Sequence, residues 1–201
     1  MPIRILYVGA INDHEVQLNL EREVNVIEAA FKAEHGAGVW RDMVVFRHFF
    51  FADVADLIKY LLEFKPAVVH FACHGQKSFL SLHQDELSVK KLTDIFATLS
   101  GLDAGDALRL VITNVCNSAD LARALAEHVD FVIGHDKPVE DTAATAFSDG
   151  LYRPLGAGYS LLKSFTLAKN AKNCGMYCLR GRKDADKFVI PKPEAAEPMT
   201  S

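Results

Sequence analysis

The chain has 201 residues, of which 50% are hydrophobic and 24% charged, with only 12 glycines and 7 prolines. This composition is typical of one globular domain and excludes a disordered, collagenous or low-complexity protein. The 22 Lys and Arg against 26 Asp and Glu give a net charge of -4, which argues against nucleic acid as a direct ligand because proteins that bind it carry an excess of basic residues.

The period of the hydrophobic residues switches repeatedly between that of a strand and that of a helix. The chain opens with an apolar run at 3–8, which predicts a strand. Apolar residues then recur at helical spacing from Leu20 to Phe31, and Gly36 is expected to end this helix. Further strands are predicted at 43–50, 67–72, 108–115, 131–134 and 176–179, and further helices at 54–62, 88–99, 118–125, 139–155 and 160–171.

The predicted strands are apolar throughout instead of alternating, as in a mainly parallel sheet covered by helices on both faces. We therefore expect one α/β domain at 1–182, followed by a frayed polar tail at 183–201 that is rich in Pro, Glu and Ala. No glycine-rich phosphate loop of the GxGxxG or GxxxxGK type occurs, which disfavours the alternative of a doubly wound nucleotide-binding domain. No cofactor is expected.

Neither a membrane segment nor a disulfide framework is indicated. The first apolar run, at 5–11, is far shorter than the roughly 20 residues of a membrane-spanning helix and lacks the features of a secretory signal. The four cysteines have apolar, strand-like surroundings, as reduced thiols inside a cell do. We expect a soluble cytoplasmic protein that contacts no membrane.

Two reactive side chains follow predicted strands. The third strand runs into His74 and Gly75 and the fourth into Cys116, at the carboxyl edge where open parallel sheets bind ligands. A Cys and a His there suit acyl transfer, because the thiolate attacks a carbonyl and the imidazolium protonates the leaving amine. A helix is predicted to begin at Ser118, and its dipole would lower the thiol pKa of Cys116. The backbone N–H groups of Gly75 and Cys116 would stabilise the oxyanion, and Gly75 would leave room for the substrate carbonyl.

Each of these residues also has an ordinary interpretation. A cysteine at a strand end is most often packed as a small hydrophobic side chain, and a histidine there is most often solvated. Strand alternation turns Cys73 to the face opposite His74, so we assign Cys73 to core packing. His70 shares the face of His74, and we assign it to packing against the sheet. A zinc site built from His70, Cys73, His74 and Cys116 would need both faces of one strand at once, and no metal is expected.

Four stretches of the chain form a more specific pattern than either residue alone. They lie at 69–75, 110–118, 131–134 and 139–165, and an opening strand and a helix bearing Glu21 and Glu23 precede them. In this order, over about 3–180, they resemble the CHAT branch of the caspase-like cysteine peptidases, which is related to caspases and separases.

The resemblance implies a caspase-like three-layer α/β/α fold with a mainly parallel six-stranded central sheet. It also implies that His74 and Cys116 form a catalytic dyad that needs no third carboxylate, and that the substrates are proteins or peptides. Relatives are usually fused to repeat, adaptor or nucleotide-sensing domains. We therefore expect a regulated effector of a prokaryotic defence or cell-death pathway that has little activity until a separate protein or small ligand acts on it. The alternative is a catalytically silent module of the same fold that binds a small signalling molecule or a partner protein.

Acidic residues after the fifth strand bear on specificity. Asp136, Glu140 and Asp141 follow it closely, although such charges are also common where a helix begins. A carboxylate buried beside the nucleophile would select a basic P1 side chain, because Arg pairs with it bidentately. Asp141 is the main S1 candidate because it matches an S1-lining aspartate of the resembling relatives. Asp136, and Asp13 after the first strand, are further candidates, as is Asn114, where many relatives carry aspartate.

Overall fold

A computed structural model describes residues 2–10, 20–50, 52–76, 79–83, 85–100, 108–116, 118–135, 137–171 and 173–190. In these ranges the strands are β1 Ile3–Gly9, β2 Val44–Phe49, β3 Val68–Ala72, β4 Gly75–Gln76, β5 Phe79–Ser81, β6 Glu86–Ser88, β7 Leu110–Asn114, β8 Phe131–His135 and β9 Tyr177–Gly181. The helices are α1 Leu20–Met43, α2 Val54–Phe64, α3 Val89–Ser100, α4 Ala119–Leu125, α5 Asp141–Gly156 and α6 Leu161–Lys169, followed by a 3-10 turn at Ala185–Lys187.

Six strands form the central sheet, in the order β2-β1-β3-β7-β8-β9. Neighbouring strands are parallel from β2 to β8, and the edge strand β9 pairs antiparallel with β8. This confirms the predicted α/β class and the mainly parallel six-stranded sheet. The register pairs Ala72 with Asn114, so β3 and β7 end level with each other at the carboxyl edge of the sheet.

Helices cover both faces of the sheet, as its continuous apolar strands predict. Helices α1, α5 and α6 pack on one face, where Phe31 and Phe147 are fully buried. Helices α2, α3 and α4 pack on the other, where Leu57 and Phe96 are buried. Side chains of β3 alternate between the two layers, with Ala72 in the first core and Phe71 in the second. The result is the three-layer α/β/α arrangement of a caspase-like fold.

The prediction that α1 ends at Gly36 was wrong, because the helix continues to Met43. Its later turns bring Trp40 and Met43 into the core beside α5, where Trp40 is only 4% exposed. A glycine inside a helix costs about 1 kcal/mol relative to alanine. Burying one large apolar side chain contributes about 1.5–3 kcal/mol, which is enough to carry the helix through Gly36.

The segment between Gly75 and Ser88, where no strand is predicted from the sequence, contains the antiparallel strands β4, β5 and β6. Leu80 and Leu87 pair across two of these strands and are buried against the α2–α4 side of the domain. Ser88 then accepts a hydrogen bond from the backbone N–H of Lys91, as a residue at a helix N-terminus does. The carboxyl end of β3 is thus followed by ordered strands.

The chain remains packed beyond residue 182. Phe188 and Ile190 are buried in the core on the α1–α5 side, and the backbone N–H of Leu161 donates to the carbonyl oxygen of Phe188. Residues 191–201, the rest of the expected tail, lie outside the described ranges. Within those ranges, no helix combines the length and the apolar composition that a bilayer crossing requires.

Candidate active site

His74 and Cys116 are positioned by the register of β3 and β7. Ala72 and Asn114 are paired across the two strands, and each candidate residue lies two positions further along its own strand end. Both side chains are partly exposed, and both line one cavity of about 220 Å³ at the carboxyl edge. A thiol and an imidazole therefore share one concave, solvent-accessible space, which is one condition for acyl transfer by such a pair.

Gly75 allows these two strand ends to approach each other. A Cβ atom added at Gly75 would overlap Cγ1 of Val115, and it would lie 3.2 Å from the carbonyl oxygen of Phe79. Val115 is the residue that immediately precedes Cys116. The physical reason for glycine here is thus contact between the histidine-bearing and cysteine-bearing segments, in addition to any space that a substrate carbonyl would need.

The four cysteines differ in their surroundings. Cys73 is buried in the core on the α2–α4 side, as predicted from strand alternation. Burial, followed by the charge of the neighbouring Cys116, raises its pKa to about 12, so Cys73 stays a neutral thiol at physiological pH. Cys174 is also buried, which raises its pKa, and Cys178 has its Sγ 3.3 Å from the carbonyl oxygen of Gly134. Cys116 is the partly exposed thiol of the cavity.

Ser118 precedes α4 as predicted, but its hydroxyl does not cap the helix. The Oγ atom donates to the carbonyl oxygen of Thr113 at 3.2 Å and accepts the backbone N–H of His135 at 3.1 Å. It therefore joins the ends of β7 and β8 on either side of the Cys116 turn. The contribution of Ser118 is to hold this turn in place.

A buried carboxylate, Glu23 of α1, forms the inner wall of the cavity. Its Oε1 accepts hydrogen bonds from Asn114 Nδ2 at 2.6 Å and from Ser148 Oγ at 2.5 Å. Its Oε2 accepts a bond from the hydroxyl of Tyr7 at 2.8 Å. Side chains of β1, β7 and α5 converge on this carboxylate, so Glu23 fixes these three elements relative to α1 at the cavity that the candidate dyad lines.

Further buried polar side chains lie near Glu23. Nε2 of His70 lies 3.4 Å from Glu23 Oε1, and Nδ1 of His70 lies 3.1 Å from the hydroxyl of Tyr152. Burial lowers the pKa of His70 more strongly than the Glu23 charge raises it, so the ring is neutral at physiological pH. Burial and the same charge raise the pKa values of Tyr7, Tyr152 and Tyr177 well above their usual range. His70 is fully buried in this network.

Glu23 was not among the residues predicted for the site. The feature of the sequence that could have revealed it is a carboxylate on the apolar stripe of α1, one turn before Ile27 and next to Val24, both of which are buried. A charged residue on a buried helix face requires partners. Glu21, two residues earlier, is exposed, which shows that the position on the helix decides the role.

The S1 candidates divide into two groups. Asp141 and Asn114 line the cavity together with Val139, whereas Asp13 and Asp136 lie outside the described residues. Asp141 is the partly exposed first residue of α5. Asn114 has its amide engaged, because Nδ2 also lies 3.3 Å from Ser148 Oγ and Oδ1 accepts the Tyr177 hydroxyl at 2.6 Å. The structure thus brings Asp141 to the cavity as a second carboxylate beside Glu23.

The chain is similar to a domain family that spans most of its length and to a protein named as a probable protease. The CHAT domain family matches residues 19–172, which contain α1, both candidate dyad residues and the whole of α5. A protein of Gillisia limnaea named "Probable protease" is 28% identical over 149 residues, which cover 71% of this chain and 22% of that protein. The chain therefore spans about a fifth of the length of this relative.

Proposed function

Because the chain belongs to the CHAT domain family, we propose that it is a cysteine endopeptidase that uses His74 and Cys116 as its dyad. The observation that carries the proposal is that His74 and Cys116 each lie two residues beyond a pair of aligned strand ends and line the same cavity. The relative named a probable protease supports the same class of reaction. Cys73 is not the nucleophile in this proposal, because burial keeps it protonated.

In the proposed reaction, the Cys116 thiol transfers its proton to His74 and the resulting thiolate adds to the scissile carbonyl carbon. The backbone N–H groups of Gly75 and Cys116 stabilise the oxyanion. The C–N bond then breaks as His74 gives its proton to the leaving amine. Water attacks the thioester with His74 as the base, and the Cys116 thiolate leaves and regains its proton.

The charge of the cavity favours a basic residue at P1. Two carboxylates, Glu23 and Asp141, line the cavity. The neutral side chain of Asn114 lines it too and donates a hydrogen bond to Glu23. Arg or Lys at P1 would bring a cation to these carboxylates, whereas an acidic residue would bring a like charge into a partly enclosed space. Asp141 is the main determinant in this proposal because it is partly exposed, while Glu23 is held by its three hydrogen bonds. Asp136 and Asp13 remain further candidates.

The biological part of the proposal is a regulated effector in a prokaryotic defence or cell-death pathway. It follows from the family and from the expectation that an endopeptidase active at all times would harm its cell. A separate activating protein or a small ligand would then raise activity by ordering the cavity. The purified chain alone is expected to turn over peptides slowly.

Covalent labelling tests the proposal without requiring the activator. A peptidyl acyloxymethyl ketone with Arg at P1 should alkylate Cys116, with a thioether bond forming as the carboxylate leaves, and mass spectrometry should locate the adduct. His74→Ala should abolish the labelling, whereas Cys178→Ser, at the other partly exposed thiol, should leave it unchanged. Labelling of Cys116 that does not depend on His74, or labelling spread over the other cysteines, would contradict the peptidase.

The same reagent series tests specificity. Replacing Arg at P1 by Asp or Leu should slow labelling by at least tenfold. Asp141→Asn should remove most of this preference, and Glu140→Gln, at the exposed neighbouring position, should keep it. A preference for Asp at P1, or an Asp141→Asn variant that still selects Arg, would show the assignment to be wrong.

A further inference from the structure

A second, larger cavity of about 630 Å³ lies on the other side of the segment 137–143. The segment between β8 and α5 forms one wall, the end of α6 forms another, and the approach to β9 forms the third. The residues that define it are Lys137, Glu140, Lys169, Asn173, Met176 and Tyr177. Its volume lies within the range of 300–1,000 Å³ that is common for small-molecule sites.

The lining combines positive charge with an apolar floor. Lys137 and Lys169 are exposed, and neither forms an ion pair with another residue that the structure describes. Glu140, on the same segment as Lys137, is the carboxylate among the lining residues. Met176 is partly exposed and supplies apolar surface. Such a lining matches a small organic anion, a carboxylate or phosphate ester with an apolar body, since the ammonium groups pair with the anion while the body packs on the apolar surface.

The two cavities share a wall. Val139 and Asp141 line the catalytic cavity, whereas Lys137 and Glu140 line the second one. Nearby residues of one short segment thus line the two spaces. A ligand that moves the backbone at Lys137 or Glu140 also moves Asp141, because Glu140 adjoins Asp141 and only three residues separate Lys137 from it along a chain with two soft torsions per residue.

Tyr177 provides a second and independent connection. Tyr177 belongs to the lining of the second cavity although only 1% of it is exposed, and its ring stacks on Phe147 with 3.6 Å between ring centroids. Its hydroxyl donates to Oδ1 of Asn114 at 2.6 Å, and Asn114 in turn donates to Glu23. A displacement of Tyr177 therefore changes the position of Asn114 on the catalytic wall.

We propose that the second cavity is an effector site for a small organic anion with an apolar body, which adjusts the catalytic cavity through the shared segment 137–141 and through Tyr177. Binding stands on the lining of the cavity alone. The effect on peptide cleavage rests on the proposed peptidase function. The site is separate from the S1 region, which the catalytic cavity contains.

Binding is tested with phenyl phosphate as the probe and the full isotope-labelled chain observed by NMR. Amide signals of Gly175 and Cys178 should shift in a saturable way at millimolar probe. Replacing both Lys137 and Lys169 by Ala should weaken binding by at least about fivefold. Lys163→Ala, an exposed lysine on the same helix α6 that does not line the cavity, should leave binding unchanged. Equal binding by the double variant, or equal binding of neutral benzyl alcohol, would overturn the site.

Coupling is tested in the same titration. The backbone signal of Asp141 and the side-chain amide of Asn114 should shift together with Gly175, and Tyr177→Phe should bind the probe yet lose the Asn114 response. The probe should also change the rate at which the Arg ketone labels Cys116 without competing with it. Competition would make the cavity part of the substrate cleft and overturn the effector role. If Cys116 is never labelled, the peptidase proposal fails, whereas the NMR response still decides whether the effector site exists.

Discussion

The two faces of the central sheet bury different chemistry around the same strand ends. On the α2–α4 side, Phe71, Cys73 and Val115 pack in an apolar core. On the α1–α5 side, Glu23 is buried and accepts hydrogen bonds from Ser148 and Tyr7, and the buried His70 forms a hydrogen bond with Tyr152. Both faces exclude water, but one does so with groups that favour burial and the other with groups whose desolvation must be offset by hydrogen bonds.

This difference separates stability from positioning. The apolar face gains free energy from each buried side chain, at about 25 cal/mol per Å² of apolar surface. The polar face gains little net free energy, yet each hydrogen bond fixes a direction, and Glu23 ties three segments together under the cavity. We therefore expect substitutions on the polar face to alter both the fold and the site, and those on the apolar face to alter mainly the fold.

The largest effect on activity should distinguish the partly exposed Cys116 from Cys73, whose side chain is buried in the core on the α2–α4 side. Cys116→Ala should lower kcat by about 10⁵-fold or more, because it removes the proposed nucleophile. Cys73→Ala should keep turnover within about threefold while costing about 1–2 kcal/mol of unfolding free energy from the small void. Activity assays on the activated enzyme, paired with urea denaturation, check both variants. Inactive Cys73→Ala protein that unfolds normally would contradict the division between the faces.

The next largest effect should follow loss of the central carboxylate. Glu23→Ala leaves the Tyr7 hydroxyl, the Asn114 amide and the Ser148 hydroxyl without their shared acceptor, and it should cost about 3–5 kcal/mol of unfolding free energy. Glu21→Ala, at an exposed position of the same helix, should change the stability by less than about 0.5 kcal/mol. Denaturant unfolding compares the two. Equal stabilities would show that the buried network contributes nothing to the fold.

A smaller effect should follow from crowding the contact between the two strand ends. Gly75→Ala puts a Cβ against Val115 and should displace His74 from Cys116, which would lower kcat about 100-fold with little change in KM. Adding Val115→Ala removes the opposing methyl groups and should restore most of kcat. A double variant as slow as Gly75→Ala would show that the alanine acts on the oxyanion N–H or on the substrate instead of through Val115.

Local sequence patterns predicted the parts of the molecule that depend on nearby residues. Apolar runs predicted all six strands of the central sheet, and strand alternation predicted that Cys73 turns into the core. The shared cavity of His74 and Cys116 followed from one topological rule, that parallel strands end at a common edge. The strands β4, β5 and β6 were not predicted, because two or three residues are too few to show a period.

Contacts between distant segments set the remainder. Glu23 meets Asn114 and Ser148, which lie 91 and 125 residues away along the chain, so no local pattern marks it as part of the site. The end of α1 depended on the burial of Trp40 beside α5, which overrode the glycine at 36. The S1 assignment stays a prediction for Asp13 and Asp136, which lie outside the described residues.

The smallest expected effects are pH-dependent, and they concern one buried group from each face, His70 and Cys73. Burial holds the folded-state pKa of His70 below the unfolded value near 6.5, so the unfolded chain binds the additional proton. The contribution of His70 to stability is therefore present above about pH 6.5 and is lost as the pH falls below it. Burial raises the pKa of Cys73 to about 12, so its contribution is present below the unfolded value of about 8.5–9 and is lost as the pH rises above it.

Each group can change the unfolding free energy by up to about 1.4 kcal/mol per pH unit between its two pKa values. Urea denaturation from pH 5 to pH 10 should thus show an acid loss that His70→Asn reduces, since its amide can take over the hydrogen bond to Tyr152 without titrating. It should also show an alkaline loss between pH 9 and 10 that Cys73→Ala reduces. The two variants control for each other, because each should reduce one limb of the profile and leave the other in place. Part of the alkaline limb should persist in either variant, because burial also raises the pKa values of Cys174 and of the buried tyrosines. If both variants kept both limbs in full, the pH response would arise from groups other than His70 and Cys73.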